Sequence, residues 1–269
     1  MITVLGTGTM GKGIALEFLR YNFDVNLVAT EDHLDLTEIN EEIKNIMLKY
    51  EFDKIETLGS LTISKNLEVV SESILVIEVV AENIDIKRNL FKKIFEFIKE
   101  DTIVASNTSS LSINDIFEGI FPMNRVVGLH FFNPVQIMKL IELVYTEKTD
   151  SSVLDKCKEL SKQIDKTVVL VKNSPGFIVN RLLIPMINEA SKIVDEGVAT
   201  IEDVDAAMRL GANHPIGPLK LSDLIGNDIT LAILNTLVDE NDISKGLKAK
   251  VQSKELGRKT KKGFYDYKR

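Results

Sequence analysis

The sequence predicts an α/β fold: a mostly parallel sheet with helices on both faces, followed by an all-helical C-terminal part. Three observations predict it. Short apolar runs alternate with segments of helical spacing through the first half of the chain. A glycine-rich corner joins the first run directly to the first helical segment. Beyond residue 173 the strand-like runs cease while the helical period continues.

The elements follow in order. Apolar runs at 2–6, 25–29, 75–80, 103–106 and 126–132 are short and rich in Val, Ile and Leu, as strands buried on both faces should be. Between them lie helical stripes: Ile14, Phe18 and Leu19; then Ile39, Ile43, Ile46, Met47 and Tyr50; then Ile86, Leu90, Phe91, Ile94, Phe95 and Ile98. Strands at 140–145 and 168–172 flank a helix at 152–164. From Ser174 onward the pattern is helical: 177–194, with Pro185 expected to kink it, 200–210, opened by Thr200 as cap, and 219–238, with Gly226 as its weak point. The expected domains are therefore 1–173, α/β, and 174–269, helical. The sequence contains no internal repeat and no long flexible linker.

Composition narrows the function. The 269 residues are 44% hydrophobic and 27% charged, which is ordinary globular usage and enough chain for a core without staples. One cysteine excludes an intramolecular disulfide and a cysteine-built zinc site, and three histidines leave little room for a histidine-built metal site. A net charge of -7 argues against nucleic acid as a partner. No apolar run approaches the roughly 20 residues of a membrane span, and no signal segment opens the chain. The expectation is a cytoplasmic protein with neither nucleic acid nor membrane as a partner.

The glycine-rich corner reads Gly6-Thr7-Gly8-Thr9-Met10-Gly11. Its context, strand before and helix after, makes it a Rossmann-like dinucleotide loop. Gly6 permits the tight turn, Gly8 lets backbone approach a pyrophosphate, and Gly11 lets the helix pack on the strand. Thr9 and Met10 complete the helix N-terminus that faces the diphosphate. The second strand should end in a carboxylate for the adenosine ribose, yet that position holds Ala29, with Glu31 and Asp32 two and three residues on. NAD is favoured as cofactor and NADP stays open, because without the carboxylate the extra phosphate is less strongly excluded.

Three polar groups interrupt the apolar strands. Ser106-Asn107-Thr108-Ser109-Ser110 ends one predicted strand, where a doubly wound sheet places its ligands; serines there also cap helices. His130 ends another, flanked by Phe131 and Phe132. Glu142 lies inside the run 140–145, where a carboxylate is costly unless paired. On successive strands the two can pair, and a buried carboxylate beside an imidazole favours its protonated form and fixes its tautomer. That pairing builds a general base for an alcohol.

These residues bring the chain close to a family. Together with Ser174-Pro175-Gly176-Phe177, Asn180-Arg181 and His214-Pro215-Ile216-Gly217-Pro218, the motifs resemble the 3-hydroxyacyl-CoA dehydrogenases, in particular the stand-alone bacterial 3-hydroxybutyryl-CoA dehydrogenases. The resemblance runs from the Gly6–Gly11 loop to Gly263-Phe264-Tyr265-Asp266-Tyr267. It implies His130 as catalytic base, Glu142 as its partner, Ser109 on the reacting oxygen and Asn180 on the substrate. It also implies Glu82 and Lys87 along the cofactor crevice with Asn107 beside them, an acyl-CoA substrate and a homodimer formed by the helical domain. The segment 36–54 resembles a helical protrusion for the CoA end, carrying Lys44, Lys49 and Lys54, which read equally as a solvated face.

Ala29 departs from the family pattern, and so do Gln136, where a second proline is expected, and a shortened stretch after Ser244. Two alternatives stay open from residues alone: a dehydrogenase of a non-CoA 3-hydroxy acid, and a nucleotide-binding protein without catalysis.

Overall fold

A computed structural model describes residues 1–31 and 33–267. Asp32, one of the two acidic residues near the second strand, lies outside the described residues. The chain forms two compact units, Met1–Ser174 and Pro175–Arg269.

The first unit contains β1 (Ile2–Leu5), α1 (Thr9–Arg20), β2 (Val25–Val28), α2 (Leu36–Lys49), β3 (Leu61–Ser64), β4 (Leu75–Glu78), α3 (Ile84–Ile94), β5 (Ile103–Ser106), α4 (Ile113–Phe117), β6 (Val126–Phe131), β7 (Leu140–Tyr145), α5 (Ser151–Gln163) and β8 (Thr167–Lys172). The strands make one sheet in the order β3-β2-β1-β4-β5-β6-β7-β8. Every neighbouring pair is parallel except β6 and β7. β1, β2, β4, β5 and β6 are buried throughout, because helices cover both faces.

β3 is absent from the sequence-based expectation: its residues are half-exposed and it pairs only with β2, so no apolar run betrays it. β8, at the other edge, forms where a strand at 168–172 is expected and is mostly exposed. Ile14, Phe18, Ile39, Ile43, Leu27, Ile77, Leu129 and Ile141 join one core.

Cys157 lies in that core, 1% exposed, and burial pushes its thiol up to about 12. A thiolate is the reactive form. The native protein is therefore expected to resist Ellman's reagent, with one equivalent reacting after urea unfolding; rapid native labelling contradicts this packing.

The second unit contains α6 (Val179–Asp195), α7 (Ile201–Gly211), α8 (Pro218–Ile225), α9 (Asn227–Leu237) and α10 (Lys245–Gln252). α6 runs as one helix through Pro185. The segment 219–238 is two helices rather than one, because Gly226 has φ +110° and breaks the chain between α8 and α9. α10 was not anticipated from the sequence. Ile184, Ile187, Leu219, Leu234 and Leu247 form the core. The C-terminal residues are fastened to buried acids: Asp223 accepts from the backbone N–H groups of Phe264 and Tyr265 at 2.8 and 2.9 Å. Asp205 caps α8 through Leu219 N at 2.8 Å and accepts from the Tyr265 hydroxyl at 2.8 Å. Among the described residues no helix is long and apolar enough to cross a membrane.

Candidate active site

The strand order reverses between β1 and β4, so the connections leaving their carboxyl ends diverge and open a crevice. Gly6 has φ +115°, and a Cβ there would meet the Val79 carbonyl oxygen at 2.7 Å. A Cβ on Gly11 would lie 1.9 Å from the Gly6 carbonyl oxygen, so only glycine lets α1 start this close to β1. Gly8 is different: it is the N-cap of α1, no side chain caps the helix, and its Cβ position meets nothing within 4 Å. The first-turn N–H groups of Thr9, Met10 and Gly11 thus lack a side-chain acceptor beside open space. That is the donor set a dinucleotide diphosphate requires, and NAD fits it.

This contrast gives a prediction. Gly8→Ala is expected to melt within a few degrees of wild type, since the added methyl meets no protein atom, while NADH affinity falls about tenfold or more. Gly11→Ala is expected to lose stability as well. Calorimetry and nicotinamide fluorescence titration check both; unchanged NADH affinity in the Gly8 variant removes the loop from the cofactor site.

At the end of β4, Glu78 is fully buried and fully occupied. Its Oε1 accepts from Lys87 Nζ and Val80 N, both at 2.7 Å, and its Oε2 accepts from Ser106 Oγ at 2.6 Å. Ser106 is its register partner on β5. Burial pushes the Glu78 carboxyl up, against the pull of the Lys87 ammonium and these hydrogen bonds.

Lys87, expected from the resemblance to line the crevice, is only 1% exposed. Its Nζ spans Glu78 Oε1 and Glu82 Oε2, at 2.7 and 3.3 Å, so it supports the crevice from beneath. Glu82 in turn collects the serine-rich loop on Oε1: Thr108 Oγ1 at 2.6 Å, Ser109 N at 2.9 Å, Ser110 N at 3.1 Å, and the Ser109 and Ser110 hydroxyls at 3.3 and 3.1 Å. Burial disfavours its charge, yet Lys87 and these donors hold the carboxyl below the usual carboxylate range. Asn107 Oδ1 accepts from Phe131 N at 2.9 Å, which locks the end of β5 to the end of β6.

His130 and Glu142 are register partners across the antiparallel pair β6–β7. Both are buried, and His130 Nδ1 lies 2.7 Å from Glu142 Oε2. A carboxylate only accepts, so Nδ1 carries the proton in this pair. Phe132 packs on the imidazole, with ring centroids 4.4 Å apart. His130, Ser109, Glu82 and the glycine loop all lie at the same carboxyl edge of the sheet.

Other expected positions are placed as follows. Ala29, 3% exposed, is packed in the core, and its N–H donates to Ser64 O at 2.9 Å. Glu31 is exposed and lies 3.4 Å from His33 Nε2. Asn180 stands in the first turn of α6, in the second unit. Lys44 and Lys54 pair with Glu41 and Glu51 at 2.7 and 2.6 Å, as a solvated helix face would.

Glu78 was missed in the sequence, and Thr108 was named only within the polar cluster 106–110, without a role of its own. Glu78 carried a usable signal: it is a charge closing the apolar run Leu75-Val76-Ile77, the same anomaly that exposes Glu142.

Comparison with known proteins bears on this geometry. Residues 1–174 match the family described as 3-hydroxyacyl-CoA dehydrogenase, NAD binding domain, and residues 176–267 match its C-terminal domain. The chain is 46% identical to a 3-hydroxybutyryl-CoA dehydrogenase of Clostridioides difficile, covering 99% of each. It is 40% identical to the mitochondrial hydroxyacyl-coenzyme A dehydrogenase of Mus musculus, over 99% of this chain and 91% of that protein. The crystal structure of (S)-3-hydroxybutyryl-CoA dehydrogenase from Ralstonia eutropha is similar with a TM-score of 0.90 at 37% identity, covering 100% of this chain and 99% of that one.

Proposed function

The chain belongs to the 3-hydroxyacyl-CoA dehydrogenase family, and from that premise we propose that it interconverts (S)-3-hydroxybutyryl-CoA and acetoacetyl-CoA with NAD, using His130 and Glu142 as its acid–base pair. The observation that carries the assignment of roles is the buried 2.7 Å contact between His130 Nδ1 and Glu142 Oε2 beside the dinucleotide cradle.

Bound NAD supplies the acceptor for the hydride that leaves C3 of the substrate. Glu142 holds Nδ1 protonated, so Nε2 takes the proton of the 3-hydroxyl and the carboxylate stabilises the imidazolium that results. In reduction the imidazolium returns that proton to the carbonyl oxygen. Ser109 donates to the same oxygen as charge develops on it; its 3.3 Å bond to Glu82 is long enough to exchange at small cost. Glu82, held charged by Lys87, keeps the serine loop in place. Asn180 is assigned to the substrate on the resemblance alone.

In this reading the first unit binds the dinucleotide, and the second serves substrate and dimer contacts. A homodimer is supported by large apolar side chains on the surface of the second unit, Leu182, Val198, Leu210 and Leu224 among them.

The test compares acetoacetyl-CoA with free acetoacetate, each with NADH and with NADPH. Efficient reduction of the thioester with NADH is expected, with NADPH a measurable second because Ala29 offers its 2′-phosphate no repulsion. Preference for the free acid would transfer the assignment to a non-CoA substrate.

A further inference from the structure

The hairpin of β6 and β7 carries the His130–Glu142 pair, and its tip is tied to α1 by contacts the reaction itself does not require. Val135 packs against Gly13, where a Cβ would lie 2.9 Å from Val135 Cγ2. Gln136 Nε2 donates to the Gly13 carbonyl at 2.9 Å. Lys166, immediately before β8, donates from Nζ to the Val135 carbonyl at 2.6 Å and ion-pairs with Glu17 Oε1 in the middle of α1. α1 is the helix whose N-terminus forms the cofactor cradle. One end of this connection therefore holds the cofactor helix, and the other holds the loop that closes the catalytic hairpin.

Stability does not account for the ion pair. The Lys166 and Glu17 side chains are 0% and 2% exposed, so both charges have lost their water. Such a pair gains little over apolar residues of similar volume. Glu17 Oε2 is buried without a hydrogen-bond partner among the described residues, which makes the arrangement costlier still. What the pair adds is direction. An ammonium between a fixed carboxylate and a fixed carbonyl sets their separation, as apolar contact does not. Gln136 adds a second directional bond to the same helix.

We propose that Glu17, Lys166 and Gln136 are positioning residues that hold the catalytic hairpin in register with the cofactor helix, so that the imidazole and the cradle keep the spacing hydride transfer needs. The proposal rests on the dehydrogenase reading above. Small errors in such spacing are expensive: a misplacement of about 1 Å can cost on the order of 10²-fold in rate.

The test uses Gln136→Met and the double variant Glu17→Leu/Lys166→Met. Lys166→Met alone strands a buried carboxylate and can fail to fold, whereas the double variant replaces the pair with apolar bulk. Melting temperature, NADH affinity and stoichiometry, and kcat and KM for acetoacetyl-CoA are measured on each. The double variant is expected to melt no lower than wild type and bind NADH within about twofold, yet lose about tenfold or more in kcat per NADH-binding site. Gln136→Met is expected to lose several-fold in kcat with KM little changed.

Unchanged kcat per binding site overturns the proposal. So does a loss of activity that merely tracks the loss of NADH-binding sites, or an effect confined to NADH affinity. Should the double variant not fold, the Gln136→Met kcat decides alone. Wild-type protein that binds NADH but leaves acetoacetyl-CoA untouched overturns the dehydrogenase reading itself, and the positioning role with it.

Discussion

Replacing His130 with Gln is expected to lower kcat for acetoacetyl-CoA reduction by about 10²–10⁴-fold while leaving NADH affinity nearly unchanged. The imidazole is buried on β6, and its Nδ1 is committed to Glu142. An amide fits much of the same space but cannot carry a proton to or from the substrate oxygen. The cradle for the dinucleotide is built by Gly6, Gly8 and Gly11 with the first turn of α1, none of which His130 supports directly. The loss should therefore fall on the chemical step. NADH titration counts the folded sites and steady-state kinetics gives the rate per site. A rate close to wild type would reject His130 as the base.

Glu142→Gln comes second in expected size. Its carboxylate is fully buried, and the role proposed for it depends on its charge and on accepting the Nδ1–H hydrogen bond. The introduced amide has two orientations. With its oxygen toward Nδ1 it keeps the imidazole tautomer but loses the charge that stabilises the imidazolium. With its nitrogen toward Nδ1 it forces the proton onto Nε2, where the base must be unprotonated. Analogous loss of the orienting carboxylate in a serine-protease triad costs about 10⁴-fold; the expectation here is a loss of about 10²–10⁴-fold in kcat, with NADH binding retained. A loss of less than about threefold would show that Glu142 orients nothing the reaction needs.

Several features of this molecule can be read from sequence because local chemistry dictates them. The five central strands announce themselves, since burial on both faces leaves mostly apolar residues in short runs. The glycine corner is legible because its spacing is imposed by close backbone approach: a Cβ on Gly11 would lie 1.9 Å from the Gly6 carbonyl oxygen. The His130–Glu142 contact is legible because a carboxylate in an apolar strand needs a partner, and the adjacent strand offers one.

What stayed hidden depends on distant partners. β3 is four half-exposed residues whose strand character comes from pairing with β2. Lys87 looks like a surface cation on a helix, yet it is buried because Glu78 waits beneath it. Asp205 and Asp223 read as ordinary helix acids, and their function as clasps for the C-terminal residues depends on chain roughly forty to sixty positions later. The tie between Gln136 and Gly13 spans 123 positions, and periodicity carries no trace of it.

In the proposed reaction this sheet edge joins a dinucleotide cradle to a proton-carrying pair acting on a 3-oxoacyl thioester. Loss of the NADH signal on addition of acetoacetyl-CoA is the test. Turnover on the order of 1–10³ s⁻¹ is expected, with one NADH consumed for each thioester reduced. No turnover in folded protein that still binds NADH would contradict the proposed reaction.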